Sequence, residues 1–259
     1  MLAAHIYADD NAGIWFPNQP GQDAWVDDVM AWNDGGFPWS STNRQLLITQ
    51  RGSALANVTS DFSFFAPYIK DPSVYKCPCD PSTADGGAPR CRSYSASQAV
   101  GTIWTTAGSC VVAGNPVTGQ WLSGNDNDCS RYGHTYGKYS GMNRPNPVNL
   151  FVFAEEHPDS INDSSLAVQI AYTGVGGSFI DLPSNLHGGA GSFCFADGHA
   201  TIHKWLGPLV GRMKFVQNGS FPGNVTVGGN ANDLRDLNWL QSHTSSPVNP
   251  NIPFPSPQN

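Results

Sequence analysis

The run His187-Gly-Gly-Ala-Gly-Ser-Phe-Cys-Phe-Ala-Asp197-Gly198-His199 constrains the fold more than any other stretch of this chain. Its second half alternates apolar and polar residues on either side of Asp-Gly. That dipeptide is the strongest short-range signal for a two-residue hairpin turn, because both central residues need positive φ. Alternation places successive side chains on opposite faces. A two-residue turn therefore predicts that Phe193, Phe195, Ala200 and Ile202 share one face. Ser192, Cys194, His199, Thr201 and His203 share the other. A hairpin with one apolar face belongs in an antiparallel sheet half covered by other structure. Only 13 % of residues are charged, while Gly (28) and Pro (20) are plentiful. The composition is that of a loop-rich, β-containing chain and not of a helical bundle.

The rest of the chain reads as a single α+β domain over residues 1–259, without internal repeats. Residues 1–10 end a helix that Asp9, Asp10, Asn11 and Gly13 break. Trp25, Val29 and Trp32 stand at helical spacing, and a further short helix is expected over 60–70. From 80 to 147 Gly, Ser, Asn, Asp and Pro dominate, and an irregular insertion is expected. The apolar run 149–154 reads as a buried strand, with another expected over 168–172. Leu234, Leu237 and Leu240 mark a closing helix over 232–243. The proline-rich tail 245–259 reads as an extended surface segment.

A net charge of −7 with 13 Lys plus Arg argues against nucleic acid, whose binding depends on neutralising phosphates. It argues equally against an electrostatic grip on anionic membranes. No apolar run is long enough to span a bilayer, so no membrane contact is expected of the chain as it stands. Six cysteines, five of them between 77 and 129, fit an oxidising compartment. Cys77, Cys79 and Cys91 match a zinc knuckle poorly, and disulfides are the better reading. Cys110 and Cys129 bracket a Gly-rich insertion that a bridge would close.

Two clusters could carry chemistry. Residues 155–163 pack Glu155, Glu156, His157, Asp159, Asn162 and Asp163 directly after a strand. Crowded carboxylates raise one another's pKa and call for a cation. Oxygens of Glu156, Asp159, Asn162 and Asp163 suit Ca²⁺, whereas His157, joined by His187 from the glycine-rich loop, suits Zn²⁺. The bland alternative is a solvated turn in which Asp159 caps a short helix. His187 either serves such a site or hydrogen-bonds backbone ahead of the hairpin, and Asp197 serves the turn. Nucleophile-elbow, Walker and Rossmann signatures are absent. Glycoside hydrolysis needs two carboxylates across a cleft; Glu155 or Glu156 with Asp159 is the candidate set. Trp25, Trp32 and Trp39, with His199, offer surfaces on which sugars stack, or else belong to the core.

The His187–X9–Asp197-Gly198 spacing resembles the signature of the H-X9-DG prepilin-type, type II secretion-like pseudopilin family of Planctomycetes, Verrucomicrobia and Lentisphaerae. Ile6-Tyr-Ala-Asp-Asp-Asn11 resembles the end of that family's long helix. Ala66-Pro-Tyr-Ile, Val74-Tyr-Lys-Cys-Pro78, Arg92-Ser-Tyr94, the stretch 151–163 and Asp236-Leu-Asn-Trp-Leu-Gln241 resemble its later anchors. The resemblance implies a pilin-like N-terminal helix packed on an antiparallel sheet, here truncated or begun at an internal Met, the missing part having supplied export and anchoring. It implies that Cys79 and Cys91, both departures from the family pattern, pair with each other. Cys77 would have partnered a cysteine of the missing helix, which leaves Cys194. It implies an extracellular, cell-surface or periplasmic module engaging other pseudopilins or a polysaccharide.

Overall fold

The computed structural model describes residues 1–19, 63–83, 87–104, 106–125, 129, 132–171, 174, 176–216 and 223–256. Trp25, Trp32 and Trp39, and the helix expected around them, lie outside these residues.

A short helix, α1 (Leu2–Asp10), opens the chain. A five-stranded sheet follows, built from β1 (Tyr94–Ser97), β2 (Phe151–Glu155), β3 (Ser165–Leu166), β5 (Ala190–Phe195) and β6 (Ala200–Lys204). Its order is β3-β1-β2-β5-β6; β3 runs parallel to β1 and the other pairs are antiparallel. A small second sheet pairs β4 (Ser178–Phe179) with β7 (Val225–Thr226). Two further α-helices follow, a single turn, α2 (Pro208–Gly211), and α3 (Ala231–Thr244), and short 3-10 turns lie at Pro72–Tyr75 and Tyr139–Gly141. The expected mixed α+β plan with a mostly antiparallel sheet is present.

Each face of the sheet has its own cover. Phe193 and Phe195 point towards α3, where the Phe193 and Trp239 rings meet edge to face at 4.9 Å. Leu237 and Leu240 of α3 are buried in the same core. Asn230 caps α3 by accepting from the backbone N–H groups of Asn232 and Asp233. On the opposite face Phe153 stacks on Phe16 at 5.4 Å and meets Phe65 at 6.1 Å. Tyr7 of α1 packs edge-on to Phe64, Phe65 and Tyr68. The helix thus reaches the core through an aromatic layer.

Several expectations are corrected. The hairpin loop has three residues, not two: the Phe195 N–H donates to the His199 carbonyl, and Gly198 alone is left-handed, at φ +98°. This is the three-residue solution, in which a turn ends on a left-handed glycine. The extra residue slips β6 by one, so Phe193 faces Thr201 and Ser192 faces Ile202. A slip of one moves every side chain to the other face. His199, Thr201 and His203 therefore join the phenylalanines beneath α3, and Ile202 is left 62 % exposed.

The irregular insertion contains a central strand. β1, Tyr-Ser-Ala-Ser, looks polar, yet Ser95, Ala96 and Ser97 are fully buried. No strand forms over 168–171; the pairing falls earlier, on β3. The stretch 63–69 makes turns and not a helix. Cys110 and Cys129 form a disulfide, as their bracketing predicts. Cys77, Cys79, Cys91 and Cys194 carry thiols instead. The bridge between Cys79 and Cys91 is absent because Cys79 lies on an exposed turn while Cys91 is fully buried in the core.

Candidate metal centre

Glu155 ends β2, faces Tyr94 of β1, and accepts a hydrogen bond from Ser192 of β5 on the other side. Residues directly opposed in a ladder share a face. This row crosses the sheet on the face away from α3. Two loops close over it.

The first loop brings Cys77. Its backbone N–H donates to Ser93 Oγ at 3.1 Å, and Ser93 Oγ donates onward to Asp80 Oδ2 at 2.6 Å. Asp80 also accepts from the Ser82 N–H and pairs with Lys76 at 2.9 Å. Ser93 immediately precedes β1, so this network fastens the cysteine loop to the sheet.

The second loop brings His187. Its N–H donates to the Ala190 carbonyl at 3.1 Å, and the chain turns through Gly188 and Gly189 at φ +66° and +84°. Gly191 is required for a different reason: a Cβ there would sit 2.4 Å from the Ser184 carbonyl oxygen. Ser184 in turn donates its N–H to the Glu155 carbonyl at 2.7 Å. The glycines let the two segments touch.

The result is a convergence of three donor atoms. His187 Nε2 lies 2.8 Å from Glu155 Oε2 and 3.6 Å from Cys77 Sγ. All three donors fall within 4.8 Å of one another. Among the described residues this is the one group of three or more His, Cys, Asp or Glu side chains so arranged. Glu155 and Cys77 are buried, while the His187 side chain keeps 22 % of its surface open. Glu155 Oε2 also accepts from Ser192 Oγ at 3.3 Å, and the buried Oε1 has no hydrogen-bond partner.

A catalytic relay would use the two ring nitrogens for two different partners. Here the thiol and the carboxylate approach the same nitrogen, which is the geometry of ligands around a point. Ligand atoms about 2.0–2.3 Å from a tetrahedral zinc lie roughly 3.3–3.7 Å apart. The Cys77–His187 separation already fits that edge, and the His187–Glu155 pair would open by about half an ångström. Burial, and then the adjacent Glu155, push the Cys77 thiol up to about 12. A metal ion reverses that preference, because a coordinating thiol is deprotonated outright. Thiolate and imidazole select zinc and its neighbours over Ca²⁺, which wants six to eight oxygens.

The remaining residues of the acidic segment go elsewhere. Glu156 follows the strand end, is fully buried, and accepts from Ser95 Oγ, which also receives Arg92 Nη1 at 2.8 Å. Burial pushes its carboxyl up to about 8, against the Ser95 hydrogen bond and the Arg92 charge. His157 Nδ1 accepts from the Asp159 N–H at 3.2 Å, and Asp159 Oδ2 accepts from the Val216 N–H at 2.8 Å. Asp163 Oδ1 accepts from the Ser165 N–H at 2.7 Å. The Asn162 side-chain oxygen is buried without a hydrogen-bond partner. Of the segment, only Glu155 meets His187. Glu155, Glu156 and Asp159 are each under 5 % exposed. His199 pairs with Asp197 at 2.6 Å and stacks on Phe195 at 4.4 Å, remote in role from these three donors.

No family model, curated protein or solved structure matches the chain.

Sequence reasoning missed two members of the site as ligands: Glu155, weighed only as a catalytic carboxylate, and Cys77, weighed for zinc only in a knuckle with Cys79 and Cys91. A cysteine among six reads first as half of a disulfide.

Proposed function

We propose that this chain is an extracytoplasmic, pseudopilin-like module whose head holds a thiophilic divalent cation, zinc foremost, on Cys77, Glu155 and His187. One observation carries the reading: three donors from distant segments converge on one point at ligand spacing. The fourth tetrahedral position would take water or a ligand of the partner, as in zinc sites with three protein ligands. Ser192, hydrogen-bonded to Glu155, would orient the carboxylate as outer-shell partners do.

The Cys110–Cys129 disulfide supports an oxidising compartment. Among the described residues no helix is long and apolar enough to cross a membrane. The family resemblance supplies the wider setting, in which the head engages other pseudopilins or a polymeric glycan.

Native mass spectrometry of the reduced protein titrated with Zn²⁺ tests the site. One tightly held zinc per chain is expected, lost in Cys77→Ser. Cobalt in its place should show a thiolate-to-metal charge-transfer band that Cys77→Ser abolishes. Absence of both from a folded wild type would remove the proposal.

A further inference from the structure

Residues 77–80 form a β-turn, closed by the Asp80 N–H donating to the Cys77 carbonyl at 3.1 Å, with Pro78 second and Cys79 third. Proline at the second position fixes φ for such a turn. The turn therefore holds two thiols of opposite exposure. Cys77 faces the metal site and is buried, while Cys79 is exposed to solvent. A β-turn brings its first and fourth Cα atoms within about 7 Å. Cα atoms two apart in such a turn are separated by a distance of the order that a disulfide spans, roughly 4.4–6.8 Å. Asp80 is itself tied to Lys76, Ser82 and Ser93. The base of the turn is anchored, and Cys79 stands at its tip. Cys91 is fully buried and Cys194 half-buried on β5, so neither matches Cys79 in access to a soluble oxidant.

We propose that Cys77 and Cys79 form a redox couple that gates the metal site. This rests on the reading of Cys77 as a metal ligand. The oxidant is a low-molecular-weight disulfide, RSSR. Cys79 attacks it first, being accessible: an S–S bond forms between Cys79 and one RS group, the RS–SR bond breaks, and one RSH leaves. Cys77 Sγ then attacks the Cys79 sulfur: the S–S bond between Cys77 and Cys79 forms, the Cys79–SR bond breaks, and the departing thiolate takes up a proton as the second RSH. In sum, two protein thiols become one disulfide and RSSR becomes two RSH. With Cys77 bound to Cys79, the site retains only Glu155 and His187, too few donors to hold zinc tightly. Bound zinc occupies the Cys77 sulfur, and closure of the disulfide expels it. The metal and the disulfide exclude each other.

The whole 259-residue chain, loaded with zinc under reducing conditions, is exposed to oxidised glutathione after removal of reductant. Released zinc is read with a chromogenic chelator and the disulfides are mapped by mass spectrometry. Cys79→Ser changes an exposed side chain outside the donor set and is the control. In the reduced state both proteins should hold one zinc. After oxidation the wild type should bind zinc roughly 100-fold more weakly or worse, beyond the loss that follows removal of an outer-shell partner. Its map should show Cys77 joined to Cys79, and Cys79→Ser should keep its zinc. Zinc retained by the oxidised wild type, lost equally from Cys79→Ser, or released with Cys77 joined to Cys194 would overturn the gating alone. A reduced, folded wild type that takes up no zinc would overturn the metal reading, and the gating with it.

Discussion

Glu155 Oε2 lies 2.8 Å from His187 Nε2, joining the end of β2 to the loop that leads into β5. The pair is close because the backbone around it is close: Ser184 bonds the Glu155 carbonyl, and Gly191 lies against Ser184. Cys77 completes the group at 3.6 Å from the same nitrogen. A buried carboxylate, a buried thiol and a partly open imidazole so placed exchange few hydrogen bonds with their surroundings. One cation would satisfy all three.

Ser192→Ala should weaken zinc binding without unfolding the protein. Ser192 Oγ touches Glu155 Oε2 at 3.3 Å, a long hydrogen bond. The effect should therefore fall near the low end of the 10–100-fold seen for outer-shell partners, about tenfold. Competition with a zinc chelator measures it, and an unchanged affinity would show that Glu155 needs no such support.

Gly191→Ala and Gly188→Ala should differ sharply. A Cβ at residue 191 meets the Ser184 carbonyl oxygen at 2.4 Å, whereas at residue 188 nothing lies within 4 Å. Overpacking against fixed backbone should cost Gly191→Ala about 2–3 kcal/mol. Gly188→Ala, strained only by its φ of +66°, should lose about 1–2 kcal/mol. Denaturant unfolding separates them, and equal losses would contradict the close approach.

Acid should loosen the contact between α3 and β6. His203 stacks on Trp239 at 3.6 Å, and burial, then the charges of His243 and Arg235, pull its pKa down from 6.5 to about 4. A base with a depressed folded pKa disfavours the protonated native state. Its stabilising contribution is present above pH 6.5 and is lost as pH falls towards 4. His203→Phe should remove part of that slope, on the order of 1–2 kcal/mol once solvent screening is allowed for. Melting temperatures of both proteins between pH 7 and 4 decide it (conditions chosen to bracket the two pKa values). Parallel curves would show that His203 does not titrate in this window.

Asp236→Ala should detach the start of α2 from α3. The Asp236 carboxylate accepts the Leu206 and Gly207 N–H groups at 2.9 and 2.8 Å. Leaving those donors without an acceptor should cost about 1–3 kcal/mol. Faster amide exchange at Leu206 and Gly207 is the local readout. Unaltered exchange there would mean that another group takes over.

Some of this architecture was plain in the sequence. The apolar run 149–154 became β2, and the leucine spacing 234, 237, 240 became α3, because periodicity reports burial directly. β1 stayed hidden because its serines are buried through hydrogen bonds, as Ser95 is to Arg92 and Glu156, and composition alone reads them as loop. The hairpin was legible but its register was not, since Asp-Gly also serves a three-residue loop ending on Gly198. His187 and the acidic segment were both visible as chemistry. The donor on the correct face, Glu155 and not Glu156, and its partner Cys77 depend on strand pairing and a loop tether distant in sequence. No local pattern carries such information.

X-ray absorption at the zinc edge of the loaded, reduced protein tests the central claim most directly. One sulfur at about 2.3 Å is expected, with the remaining nitrogen and oxygen ligands at about 2.0–2.2 Å. In Cys77→Ser the sulfur shell should vanish. A first shell without sulfur in the wild type, or with two or more sulfurs, would place the metal elsewhere and contradict the site.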